Sequence, residues 1–399
     1  MKTVQFVNAA ARLAAPASTD PPPDVSGGWA PEVRLGAPAL NGLALPAAQP
    51  TAAWLYAPRG VHLGRFRGRD VVVVADTGNH RVLIWHGVPD RDEQACDVVL
   101  GQPDATSEGP AAGGADTRRG VYLPTGVLVH DDMLVVADAW HHRVLIYREV
   151  PTQPGAVPDA VLGQADLDQV LPNRGGDCSA TSMYWPFGIG VVGGRFYVAD
   201  TGNKRVLGWT GGIPLDPDTE PDVILGQPDA ASRGENRDGP ATASSFRWPH
   251  DVCGTADQLL VADAGNHRVL GWRPHPPVDT AADLVLGQSD FAASTEWPYG
   301  PQRADLTRFP YAADVDAGRL AVADTANNRV LLWDRLPDGG VAAGADAVLG
   351  QPSFAANGEN RWASVTRDSL CWPYGLSFSG NRIAVADSGN NRVVIWRRQ

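Results

Sequence analysis

Sulfur is scarce in this chain, with four cysteines and three methionines among 399 residues. The cysteines, Cys96, Cys178, Cys253 and Cys371, stand far apart and none has C-x-x-C spacing, which excludes a disulfide framework and a thiolate metal site. No block of lysine or arginine exceeds two residues and the formal charge is −12, a field that repels phosphate backbones. Nucleic acid is therefore not an expected partner. No 18 apolar residues run together, so no membrane-spanning helix is expected and a membrane is not an expected partner either. The start, MKTVQFVNAAARLAAPAS, is broken by Gln5, Asn8 and Arg12, which argues against a secretory leader and for a cytoplasmic protein. Also missing are a nucleophile motif with triad spacing, motif-spaced metal ligands and a glycine-rich phosphate loop.

What the chain has in quantity is turn chemistry. Glycine at 44 and proline at 33, in a globular composition of 43% apolar and 20% charged residues, fit many short strands better than long helices. One phrase recurs six times: VADTGNHRVLIW from Val74, VADAWHHRVLIY from Val136, VADTGNKRVLGW from Val198, VADAGNHRVLGW from Val261, VADTANNRVLLW from Val322 and VADSGNNRVVIW from Val385. Its aspartates, Asp76, Asp138, Asp200, Asp263, Asp324 and Asp387, are spaced by 62, 62, 63, 61 and 63 residues, so one supersecondary unit is iterated. Each unit reads as four strands: a run led in by a proline, the run ending in VAD, the RVLIW run, and a run such as DVVLGQ. Four strands per unit make a propeller blade. The expected fold class is all-β, a six-bladed β-propeller of four-stranded blades.

The sixth unit reaches Gln399 straight after its third strand, while EVRLGAPAL at Glu32 to Leu40 matches DVVLGQPDA. This N-terminal strand is expected to complete the last blade and close the ring, which removes two sheet edges. Residues 1–30, with the stretch APASTDPPPD, are expected to be a tail or arm, and residues 31–399 the propeller. From Gln102, Gln164, Gln227, Gln288 and Gln351 to the next lead-in prolines, Pro124, Pro186, Pro249, Pro310 and Pro373, is 22 residues in every unit. Linkers of one length are ordered, so the face that carries them and the ADTGN turns is where a site is expected.

These residues resemble the NHL repeat, with Asn79-His80-Arg81-Val82 and Asn266-His267-Arg268-Val269 as the signature, and the likeness to bacterial propellers built from VLGQPD repeats covers Glu32 to Gln399. The resemblance implies the propeller fold. For function it implies a range, from protein-binding platforms through RNA-binding domains of ubiquitin ligases to the lyase that cleaves peptidyl-hydroxyglycine, and fold alone does not choose. In that lyase the resemblance implies zinc held by histidines from several blades near the lead-ins. Here the lead-in column has only His250, with His62 displaced from it, so that zinc site and activity are not carried over. No cofactor is implied, and a channel metal on mixed histidine and aspartate ligands stays as an alternative.

A residue type present in every blade serves what every blade needs. The six aspartates and the arginines five positions on are expected to accept turn amides and brace hairpins, and Trp85, Tyr147, Trp209, Trp272, Trp333 and Trp396 to pack between blades. Function is expected where the copies disagree. Blade two carries Trp140, His141 and His142 in its turn, either a tolerated variation or a ligand contact. The residues after the lead-in prolines, which enter the innermost strands, are Arg59, Thr125, Phe187, His250, Tyr311 and Tyr374. In the next column a carboxylate, Asp251, intrudes among Gly60, Gly126, Gly188, Ala312 and Gly375; two positions further come His62, Cys253, Asp314 and Ser377.

The expected function is a ligand- or protein-binding module that uses the loop face and channel mouth, with Arg59, His62, Thr125, Phe187, Tyr311, Asp314, Tyr374, Trp140 and His141 as binding candidates. The alternative is a lyase or hydrolase acting on an anionic small molecule or peptide. There His250 and Asp251 serve as base and orienter, and Arg59 and Tyr311 hold a carboxylate or oxyanion. Arg174, Arg237 and Arg361, ten residues after their glutamines, either brace loops or point inward with Arg59.

Overall fold

The computed structural model describes residues 24–296 and 301–399, so the first 23 residues of the expected arm lie outside the described residues. Six sheets form a ring of six blades. Blade 1 runs outward from the axis through Gly60–Phe66, Arg69–Asp76, Arg81–Trp85 and Val98–Leu100, all antiparallel. Blade 4 gains a fifth strand, Gly340–Val341, which lies parallel to Leu284–Leu286. In blade 6 the N-terminal strand Trp29–Gly36 pairs with Arg392–Arg398, placing Val33 opposite Ile395 and Leu35 opposite Val393. The ring closes as expected, and Glu32 adds ion pairs to Arg382 and Arg397 across the seam. Among the described residues no helix is long and apolar enough to cross a membrane.

Strand alternation explains why the middles of the second and third strands, such as Val71–Ala75 and Val82–Trp85, are apolar at successive positions. Val73, Ala75 and Ile84 pack against Leu134 and Val136 of blade 2, while Val72, Val74 and Leu83 pack against Leu35 and Ile395 of blade 6. Both faces of every blade are buried, so β-branched residues fill both parities.

Inside this apolar stack sits one charged bracket per blade. Arg81 Nε donates to Asp76 Oδ2 at 2.7 Å, Nη1 to the Ala105 carbonyl at 2.7 Å, and Nη2 to the carbonyls of Thr51 and Trp54 at 2.8 and 2.9 Å. One guanidinium thus ties together the linkers before and after its blade. Arg143, Arg205, Arg268 and Arg329 repeat the pattern, and all six arginines are fully buried. Only at the seam is it incomplete among these six, since Arg392 keeps Asp387 and the Ser369 carbonyl but leaves Nη1 unpartnered. The linker arginines also brace loops: Arg174 bonds Asp218, Arg237 bonds Asp279, and Arg361 bonds Asp368. Their inward alternative is overturned.

A second device joins neighbouring blades. The residue before the lead-in proline is left-handed in five blades, with φ of 45° at Ala57, 47° at Leu123, 52° at Trp185, 50° at Phe309 and 52° at Trp372. That conformation costs on the order of 1–3 kcal/mol for a side chain with a Cβ. Each is held by the histidine or asparagine that ends the preceding blade's turn. Leu123, Trp185 and Phe309 donate their N–H to Nδ1 of His80, His142 and His267 at 3.2 Å, while Trp372 and Ala57 donate to Oδ1 of Asn328 and Asn391 at 2.9 and 3.0 Å. A histidine can accept there only when Nδ1 carries no proton. Burial pushes His142 and His267 down to about 4 and lowers His80 as well.

Arg205→Ala strips the counterion from buried Asp200 and should destabilise the fold by about 3–5 kcal/mol in chemical denaturation. Acid should unlatch the ring. Unfolded histidine titrates near about 6.5, so between there and about 4 the unfolded chain binds protons that His142 and His267 refuse, and stability falls as pH falls. Each histidine is worth on the order of 1–3 kcal/mol over that window. The double substitution His142→Asn/His267→Asn, which copies the latch of blades 5 and 6, should hold its thermal midpoint at pH 7 and lose less of it by pH 5.

Candidate functional site

The innermost strands of the six blades are sheet edges that line the axial channel, and their free backbone groups need partners. Four blades supply them sideways. Asp251 Oδ2 accepts the Ala313 N–H at 3.2 Å, Asp314 Oδ2 that of Phe378 at 2.7 Å, and Ser377 Oγ that of Leu63 at 3.1 Å, while His62 Nε2 meets the Val129 carbonyl at 3.2 Å. Strands elsewhere approach too closely for any side chain. A Cβ on Gly60 would lie 1.9 Å from the Thr125 carbonyl oxygen, and one on Gly188 2.4 Å from that of His250.

Asp251 spends both oxygens on backbone, Oδ1 on its neighbour Val252 and Oδ2 on Ala313. Burial pushes its carboxyl up to about 8 and that of Asp314 up to about 7, and pushes the His62 imidazole down to about 4. Neither Asp251 oxygen has a bond to His250, so the expected base-and-orienter pair is not formed.

The lead-in column forms the mouth above. Phe187 and His250 have centroids 4.7 Å apart, His250 and Tyr311 stack at 4.3 Å and 12°, and Tyr311 and Tyr374 follow at 4.7 Å. The Arg59 guanidinium lies over Tyr374 at 4.6 Å. Trp140, reaching in from the blade 2 turn, sits 5.7 Å from Phe187 and 6.0 Å from Arg59. The channel they lead into holds about 220 Å³ and is walled by all six inner strands.

Arg59, Thr125, Phe187, His250, Tyr311, Tyr374 and Trp140 therefore share one mouth. His62, Asp251 and Asp314 belong to the wall below it. His141 joins neither: its Nδ1 meets Asp138 Oδ2 at 2.8 Å, where other blades place an asparagine, and its ring packs on Tyr122. Buried in that role, it is a bracket residue. Among the described residues no three histidine, cysteine, aspartate or glutamate side chains cluster as a metal requires.

His250 owes its pose to the one blade junction without a latch. Blade 3 ends its turn with Lys204, whose ammonium folds back to the Gly202 carbonyl at 2.7 Å and offers no acceptor. Trp248, the next pre-proline residue, is absent from the left-handed set, and its N–H turns to its own blade's Asp263. Its carbonyl then takes the Ala264 N–H and the His250 Nδ1–H, both at 3.0 Å. With Nδ1 donating, Nε2 carries the lone pair, and burial lowers the ring to about 4, so the ring is neutral at pH 7. Neither Lys204 nor Trp248 was among the expected residues. Their signal in the sequence was a lysine in a column otherwise of histidine and asparagine.

The NHL repeat model matches residues 246–272 and 370–396, blades 4 and 6. Those two blades carry NHL repeats within a six-bladed propeller. No curated protein matches its sequence. Among solved structures this propeller is similar to an auxiliary nutrient binding protein from Bacteroides thetaiotaomicron at 9% identity, covering 92% of this chain and 75% of that one with a TM-score of 0.53. It is also similar to virginiamycin B lyase from Staphylococcus aureus, at 9% identity, 85% and 94% coverage and a TM-score of 0.45. The WD40 propeller domain of Doa1 matches at 12% identity, 93% and 98% coverage and a TM-score of 0.44. At such identities the likeness is one of fold.

Lys204→His should install the missing latch. Trp248 is then expected to turn left-handed, and His250 to lose its carbonyl and populate both tautomers, read as a change in its ring ¹⁵N shifts. Stability should change by less than about 1 kcal/mol, because the new hydrogen bond is offset by the left-handed backbone it imposes on Trp248. Unchanged His250 shifts would show that Lys204 does not govern the pose.

Proposed function

We propose that this propeller is a binding module that takes a small anionic molecule at the channel mouth. The carrying observation is Arg59. Its guanidinium is half-buried on the face of Tyr374, yet among the described residues no carboxylate or carbonyl pairs with it. The carboxyls of the wall do not compete, because Asp251 and Asp314 are committed to backbone amides. A half-buried cation without a counterion among the described residues favours an anionic ligand, and guanidinium matches a carboxylate in a bidentate fork. Neutral His250, whose Nε2 has no partner among the described residues, adds an acceptor beside it. In the lyase or hydrolase reading His250 alone would serve as base, oriented by the Trp248 carbonyl and not by Asp251.

Native mass spectrometry and calorimetry with a panel of small carboxylates, phosphates and neutral analogues test this. The anions should bind, and Arg59→Ala should weaken them by about 10- to 100-fold, the worth of one charge-assisted contact. Equal affinity in the variant would remove the reading.

A further inference from the structure

Trp140 occupies a turn position that is glycine in four blades, where a Cβ on Gly78, Gly202, Gly265 or Gly389 would lie 2.6, 2.4, 2.8 or 2.5 Å from the nearest atom. Blade 5 has Ala326 there, and blade 2 alone an indole. That indole lies 6.0 Å from the Arg59 guanidinium on one side and 5.5 Å from Trp185 on the other, and Trp185 stands 4.5 Å from Tyr184. All four side chains are half-buried, so each keeps surface in contact with solvent. An aromatic path thus leads outward from the unpaired cation over blades 2 and 3. The other directions are polar. Beyond Tyr374 the next indole, Trp372, gives its Nε1–H to the Glu359 carboxylate at 2.9 Å, and the wall below carries Asp251, Asp314 and His62.

Resting on the anion reading of the mouth, we propose that the anion held by Arg59 is the head of an amphiphile, a straight-chain alkyl carboxylate whose tail leaves the mouth over Trp140 and Trp185. Three considerations select it. One charge-assisted contact does not offset the freedom a ligand loses on binding, so a second contact must supply the rest. The aromatic path offers an apolar one, worth up to about fourfold in affinity for each methylene removed from water. Its rings are tilted, by 37° between Trp140 and Trp185 and 31° between Tyr184 and Trp185, a surface that follows a flexible chain and gives no flat platform for a rigid ring.

The experiment titrates acetate, butanoate, hexanoate and octanoate, with hexan-1-ol as the uncharged control, into the full chain, Arg59→Ala and the double variant Trp140→Ala/Trp185→Ala. Alanine already stands at both places elsewhere in the ring, as Ala326 and Ala57, and the Trp185 N–H to His142 is a backbone contact that the variant keeps. Affinity should rise about two- to fourfold per methylene. Arg59→Ala should weaken every acid by one common factor and leave that slope, while the double variant should flatten the slope and leave acetate as it was. If acids of all lengths bind alike and need Arg59, the anion reading stands and the amphiphile falls. If no acid depends on Arg59, or hexan-1-ol equals hexanoate, both fall. A slope that survives in the double variant overturns the path over Trp140 and Trp185. Should the double variant fail to fold, each single substitution decides by the same slope.

Discussion

The geometry of the channel mouth depends on where one N–H goes, that of the residue before each lead-in proline. Steric conflict with proline and with its own Cβ disfavours the left-handed state there, so a partner must hold it. Five blade junctions supply an uncharged acceptor from the neighbouring turn. Histidine and asparagine are interchangeable in that place because both present a lone pair at the same reach, and lysine is not, having only donors. The second residue of the asparagine-histidine signature, His80 or His267, is thus a joint between blades, while Asn79 and Asn266 bond their own blade's aspartate. Where the joint is missing, between blades 3 and 4, the chain enters its innermost strand by another path and delivers His250 with a defined tautomer.

Repetition and exception have separate physical causes here. The buried arginine bracket and the alternating apolar strands answer demands that every blade makes, to hold two linkers and to fill two inter-blade spaces. The polar residues of the inner strands answer a demand that varies, because strands that touch through glycine need no side chain between them while others leave an amide open. Asp251, Asp314 and Ser377 meet that need, and His62 meets an open carbonyl instead. Their polarity is structural, and Arg59 stands above them.

Most of the fold was legible in the sequence because a supersecondary unit written six times averages out local ambiguity, and the spare strand at Glu32 could be matched to the unit that lacked one. The mouth was legible in part. The column Arg59, Thr125, Phe187, His250, Tyr311 and Tyr374 does converge, since a proline fixes where each inner strand begins. Asp251 misled, because sequence adjacency to His250 on a strand places the two side chains on opposite sides, and a carboxylate among glycines looks alike whether it faces the axis or the next blade. His141 misled for a different reason, as its ring replaces an asparagine amide against Asp138 without any change in the chain around it. The stacking circuit itself was invisible, being a property of six strands seen together.

Closure of the ring by the strand Trp29–Gly36 has a kinetic corollary. Glu32 and Arg382, joined at the seam, are 350 positions apart, close to the largest separation this chain allows. Blades 1 to 5 are assembled from contacts within some 60 residues, whereas the seam waits for the opposite end of the polypeptide to arrive. The last step of assembly therefore carries the largest loop-closure entropy, and until it happens two sheet edges stand open. On a ribosome that interval spans the synthesis of the 350 positions between Glu32 and Arg382, and it is the period in which such a molecule is most exposed to pairing with the wrong strand.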